Sequence, residues 1–137
     1  MRIYSDYMTV QTKQNREFIN ITQNVKFAVE KSGIRDGLVL VTVLHCNSAV
    51  FLNEDDTGLL QDLEAWLAQL APARDDYKYG PKHESNAAIH LQSLLLQNHV
   101  VLSLADGKLE LGPWQSVIYA ELDGNRPKRL LFKVLGE

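Results

Sequence analysis

The sequence predicts a single α+β domain over residues 1–137, largely antiparallel, with about three helices. With 45% hydrophobic and 23% charged residues, a chain of 137 has enough material for one core and little for a second. Helix signals fall at residues 22–33, 57–70 and 86–98, while the other apolar stretches alternate or are β-branched. Beyond residue 98, strand-like segments meet at two Asp-Gly turns, which predicts an antiparallel meander.

The elements follow in chain order. Residues 2–12 and 16–21 read as strands. In "TQNVKFAVEKSG", Thr22 suits a helix N-cap, Lys31 the negative C-terminal end, and Gly33 the left-handed exit. "LVLVTVLH" (38–45) is a buried strand with "SAVFLN" (48–53) as its neighbour. Leu59, Leu60, Leu63, Trp66, Leu67 and Leu70 keep helical spacing up to Pro72, and Asp55 and Asp56 sit where a helix start favours negative charge. Residues 72–85, with Pro72, Gly80 and Pro81, read as an exposed loop. The helix from about Asn86 to Asn98 carries two apolar stripes. Ala87, Ala88, Leu91, Leu94 and Leu95 form one, and Ile89 and Leu96 form the other, so the helix needs cover on both sides. Strands "HVVLSL", "LEL", "PWQSVIYAEL" and "KRLLFKVL" complete the chain.

Composition narrows the function classes. Fourteen basic residues against 17 acidic ones give a net charge of −3, which argues against nucleic acid or an anionic membrane as partner and favours small molecules or protein surfaces. Cys46 is the sole cysteine, so neither an internal disulfide nor a Cys-rich zinc cluster is expected. The start "MRIYSDYMTV" alternates, and the longest apolar run, "GLVLVTVL", is far short of the roughly 20 residues that cross a bilayer. A cytoplasmic protein is expected.

The candidate site residues are mostly polar groups at element ends. His90 falls near the start of its helix, where the positive dipole end disfavours imidazolium and keeps a neutral ring for metal binding or proton transfer. A structural histidine bonded to a carbonyl is the alternative. His83 lies just outside that helix, and His45 closes the most apolar strand. His99 begins a strand and takes only a structural role. Cys46 is adjacent to His45, but strand neighbours point to opposite faces, so the two are not expected to pair. Asn53 and Glu54 precede the capping aspartates. Trp114 in "LGPWQ" is expected in the core, with Gln115 on the alternate face free to read a polar ligand. "NRPKR" (125–129) reads as a solvated hairpin tip.

"LHCNSAVFLNEDDTGLLQDLEAWLAQLAP", "HESNAAIHLQSLLL" and "DGKLELGPWQSVIYAELDGNRPKRLLFKV" together resemble the YjbQ family, often labelled secondary thiamine-phosphate synthase. The resemblance runs from about Tyr4 to the C-terminus. It implies a two-layered α+β fold assembling as a homotrimer, with sites near subunit interfaces. By position it makes His45, Asn53, Glu54, His90 and Gln115 catalytic candidates, and Asn86, Trp114, Glu121 and Arg126 substrate-binding ones. His45, His83 and His90 become candidate ligands for a divalent metal, zinc or magnesium. The chain departs from the family pattern at Asn47, usually Thr or Ser, and at Ala88, usually His or Asp. Position 88 lies about 200° around a regular helix from His90, so the two could share a metal only where the first turn is irregular. The resulting expectation is an enzyme of weak or secondary thiamine-phosphate synthase type, acting on a small anionic, phosphorylated molecule. The alternative is a non-catalytic ligand-binding or scaffold trimer.

Overall fold

Strand order, not strand content, is where the chain departs from expectation. The computed structural model describes residues 1–79, 86–124 and 126–137. The elements are β1 (Arg2–Val10), β2 (Glu17–Asn20), α1 (Thr22–Ser32), β3 (Gly37–Val43), β4 (Ser48–Asn53), α2 (Thr57–Leu70), α3 (Ala87–Leu96), β5 (His99–Ala105), β6 (Lys108–Leu109), β7 (Ser116–Glu121) and β8 (Lys128–Gly136). A five-stranded sheet runs β1-β8-β3-β5-β6 and a three-stranded sheet β2-β7-β4, and every pairing in both is antiparallel.

Two pairings therefore differ from the sequence reading. β4 is not bonded to β3 but to β7, with Ser48 opposite Glu121 and Asn53 opposite Ser116. The meander is also absent. β5 and β6 form a hairpin, but β7 belongs to the small sheet and β8 crosses back to lie between β1 and β3. Asp-Gly turns fix a local reversal, and nothing in them requires the two flanking strands to pair with each other.

The alternation of each strand sorts its side chains into layers. Val39, Val41, Val100, Leu102, Phe132 and Val134 of the large sheet face Val50, Val117 and Tyr119 of the small one, and α1 closes this core with Val25, Ala28 and Val29. The other face of the small sheet packs Ala49 and Ala120 under Leu67 of α2 and Leu96 of α3. The result is three layers rather than two. Burying each large apolar side chain of this kind contributes roughly 1.5–3 kcal/mol.

Helix ends follow the expected chemistry in part. Gly33 ends α1 at φ 69°, and Asp56 caps α2 by accepting the Leu59 N–H at 2.8 Å. Thr22 does not cap α1. Its hydroxyl donates to Asn20 Oδ1 at 2.6 Å and accepts the Val117 N–H at 2.9 Å, so it fastens helix to sheet. Asp55 likewise serves the sheet, accepting from Asn20 Nδ2 at 3.0 Å. On α3 the apolar stripe is split. Ala87 and Ala88 are buried together with Gln92, Ser93 and Leu96, while Leu91, Leu94 and Leu95 face outward, Leu94 at 77% exposure. No helix among the described residues is long and apolar enough to cross a membrane.

Candidate functional site

The sandwich core ends in polar groups where the chain switches sheets. Glu121, the last residue of β7, and Lys128, the first of β8, are 1% and 0% exposed by side chain and pair at 2.6 Å. The Glu121 carboxylate also accepts the Tyr119 hydroxyl at 2.8 Å and the Asp123 and Gly124 N–H groups at 3.2 and 3.0 Å. Burial works against this carboxylate. The Lys128 ammonium, the Gly124 N–H and the Tyr119 hydroxyl outweigh it and hold its pKa below the usual carboxylate value. Burial, then the neighbouring Glu121, pushes the Tyr119 phenol up. Lys128 is thus no part of a solvated tip; among the basic residues of "NRPKR", only Arg126 and Arg129 are exposed.

This polar end positions His45. The Arg129 carbonyl at the start of β8 accepts the Leu44 N–H at 3.1 Å, and the Arg129 N–H donates to His45 Nε2 at 3.0 Å. The segment between β3 and β4 is thereby tied to β8 from both directions. Burial first, then the positive charges of Lys128, Arg126 and Arg129, hold the His45 imidazole below its ordinary pKa, with Glu121 opposing in part.

α3 brings the second histidine to the same place. Ser93 Oγ donates to the Ser48 carbonyl at 2.7 Å and Gln92 Nε2 to the Ala71 carbonyl at 3.0 Å, which ties the helix to β4 and to the end of α2 by buried hydrogen bonds. An open cleft of about 540 Å³ results, lined by His45, Cys46, His90, Ser93, Leu94, Gln97, Asn98 and His99. Tyr79 meets the His90 ring edge to face, with centroids 4.9 Å apart. Gln97, in the cleft wall, has φ 88° and ψ 157°, a region that suits glycine. Its carbonyl accepts the Val50 N–H at 3.2 Å and its N–H donates to the Ser93 carbonyl at 3.0 Å.

His45 and His90 thus line one cleft, together with His99 and Gln97. Cys46 also lines the cleft, in residues 44–47, which form bends and not strand. His83 lies outside the described residues. Asn86 precedes α3 without capping it, and its Oδ1 is buried with no hydrogen-bond partner. Asn47 Oδ1 is likewise unpartnered, while Asn47 Nδ2 donates to Asp123 Oδ2 at 3.1 Å. Such buried acceptors call for a donor from water or ligand.

The remaining candidates lie elsewhere. Asn53 ends β4 opposite Ser116, the start of β7, and Glu54 follows it. Asn53 lies five residue steps along the strand from Ser48, about 17 Å at the usual rise. Gln115 Oε1 accepts the Gly112 N–H at 2.8 Å and borders a different cleft, with Asn20, Thr22 and Lys26. Trp114 is 74% exposed and not in the core. Within one chain, Asn53, Glu54, Trp114 and Gln115 do not join His45 and His90.

A metal finds few ligands in this cleft. Among the described residues no group of three His, Cys, Asp or Glu side chains could hold one. Ala88 lies on the buried side of a regular α3 turn, away from any shared ligand position with His90. Zinc normally takes three or four protein ligands, and the described residues of this cleft do not supply such a set.

Comparison with known proteins agrees with this architecture. A family model described as UPF0047 protein YjbQ-like matches residues 6–137. A UPF0047 protein of Archaeoglobus fulgidus is 41% identical over 128 residues, covering 93% of this chain and 98% of its own. One of Methanothermobacter thermautotrophicus is 37% identical over 138 residues, covering 100% and 95%. Among solved structures, a YbjQ-like protein of unknown function from Sulfolobus solfataricus superposes with a TM-score of 0.93 at 33% identity, covering 99% of each chain.

Proposed function

The chain belongs to the YjbQ-like UPF0047 family, and from that premise we propose that it is a small-molecule enzyme whose cleft at His45 and His90 receives a phosphorylated or otherwise anionic substrate. One observation carries the proposal: two histidines 45 positions apart line one cleft, together with the polar residues Ser93, Gln97 and Asn98. Imidazole, amide and hydroxyl donors in that wall can hold the oxygens of an anion and stabilise negative charge developing on a leaving phosphate or pyrophosphate. This suits a reaction of the thiamine-phosphate synthase type, in which a pyrimidine pyrophosphate joins a thiazole phosphate and pyrophosphate departs. The chain's own groups would bind and orient the phosphates.

The proposal includes a homotrimer. Leu94 lines the cleft and is among the most exposed apolar residues, beside exposed Leu91 and Leu95. A neighbouring copy seated there would cover the cleft wall and could supply the Asn53, Glu54 and Gln115 end that one chain holds apart.

A second reading, a non-catalytic ligand-binding or scaffold trimer, is favoured by Ala88, a buried methyl group where the family usually has His or Asp. Turnover of the two thiamine precursors, with and without magnesium, set beside an equilibrium titration with pyrophosphate, separates the readings. Turnover that His90→Ala abolishes supports the enzyme. Saturable binding without turnover supports the second reading, and neither binding nor turnover overturns the anion site.

A further inference from the structure

His45 is held by a donor that never ionises. A main-chain amide can only donate, so the Arg129 N–H at 3.0 Å requires a bare lone pair on His45 Nε2. A neutral imidazole with Nε2 bare carries its proton on Nδ1. No hydrogen bond to Nδ1 exists among the described residues, and the ring lines the cleft. We propose that His45 serves the cleft as a neutral hydrogen-bond donor, fixed in the Nδ1–H form by the Arg129 amide, and not as a metal ligand.

Both halves follow from the two nitrogens. Nε2 has spent its lone pair on the amide, and Nδ1 has spent its own on a proton, so neither can bind a cation without breaking the arrangement. The donor that remains suits an oxyanion or a carbonyl oxygen. Its supports are rigid: β8 is tied at Lys128 by the buried pair with Glu121, and the adjoining Arg129 carbonyl accepts the Leu44 N–H, which brackets the imidazole. Burial and three nearby cations oppose the imidazolium that would break the amide contact. Arg129 is accordingly a positioning residue, acting through its backbone. Its side chain lies over the Tyr7 ring at 4.4 Å and is dispensable for this purpose.

The inference rests on the anion-cleft reading for its ligand class, but its test does not. The ¹⁵N-labelled protein, examined by two-bond ¹H–¹⁵N correlation at pH 7.5, reports which nitrogen of His45 carries the proton. The expected pattern is protonated Nδ1 and bare Nε2, retained in Arg129→Ala, which keeps the amide, and unmoved by excess zinc. In Arg129→Pro, which lacks the amide proton, the Nε2–H form should appear. If that variant does not fold, the parent and Arg129→Ala spectra still decide. Nε2–H or imidazolium in the parent, or zinc-induced shifts of His45, would overturn the proposal. Inorganic phosphate added in EDTA should shift the Nδ1–H signal. Phosphate that moves no cleft resonance while the Nδ1–H pattern stands overturns the anion reading and leaves the fixed tautomer in place.

Discussion

Replacing Lys128 with methionine isolates the contribution of the buried corner. The substitution keeps most of the aliphatic stem and removes only the ammonium from a carboxylate that is 1% exposed. Breaking one side of a buried pair costs about 3–5 kcal/mol, because the survivor remains buried and charged. Glu121 keeps the Tyr119 hydroxyl and the Asp123 and Gly124 N–H groups, so the lower end, about 3 kcal/mol, is expected. For a chain of this length that corresponds to a drop of roughly 10 °C in Tm. The pH dependence gives the sharper test. In the parent, Glu121 titrates below its ordinary value, so its contribution is present above the unfolded pKa and lost as pH falls through the folded one. In Lys128→Met, burial acts with less opposition and raises Glu121. The folded state then holds a proton that the unfolded state releases, and the deficit grows with pH. Urea denaturation followed by circular dichroism at pH 5.5 and pH 8 should show the larger loss at pH 8. The double variant Lys128→Met/Glu121→Gln should recover more than half of it. A cost under about 1 kcal/mol, or one equal at both pH values, would refute the reasoning.

Other expectations concern the cleft and its rim. His45 in the folded protein should titrate below its ordinary value by NMR. Because its folded pKa is depressed, its contribution to stability is complete above the unfolded value and is lost as pH falls through the folded one, so His45→Gln should flatten the acid limb of the stability curve. An upward shift would contradict the burial and charges around it. Gln97→Gly relieves the positive φ and should stabilise the fold by about 1–3 kcal/mol, less the entropy a glycine gives the unfolded chain, in a urea titration. A clear loss of stability would show that the Gln97 side chain matters more than its backbone. Leu94→Glu should leave the circular dichroism spectrum intact while light scattering reports a monomer in place of the proposed trimer. A trimer that persists would place the contact between copies elsewhere.

The sequence revealed chemistry at element ends better than strand neighbours. Asp56 and Gly33 could be read because a cap or a left-handed exit depends on a few adjacent residues. β4 was assigned the wrong neighbour because an apolar strand carries its face preferences but no label for its partner. Lys128 was missed for a related reason. Inside "NRPKR" it looks like one more solvated cation, and only its meeting with Glu121 across a change of sheet makes it buried. His99 reads as a strand start with a structural role, yet β5 begins where α3 ends, which puts His99 in the wall of the same cleft as His90. The outward leucines of α3 were legible as apolar but not as uncovered, since cover depends on neighbours in space.

The position of β8 in the large sheet has a consequence for how the molecule is made. β8 is the last strand in chain order, yet it lies between β1 and β3, with Arg2 opposite Gly136 and Leu38 opposite Leu135. Until residues 128–136 emerge from the ribosome, β1 has no partner and one edge of β3 stays open. Before that point the nascent chain carries unpaired edges of β1 and β3. Pairings this distant in sequence slow folding, because the entropy of closing the loop is lost before any strand contact is gained. Exposed edges are also where one nascent chain can pair with another. Protection by a ribosome-associated chaperone, or rapid completion of synthesis, would matter more for this chain than its modest size suggests.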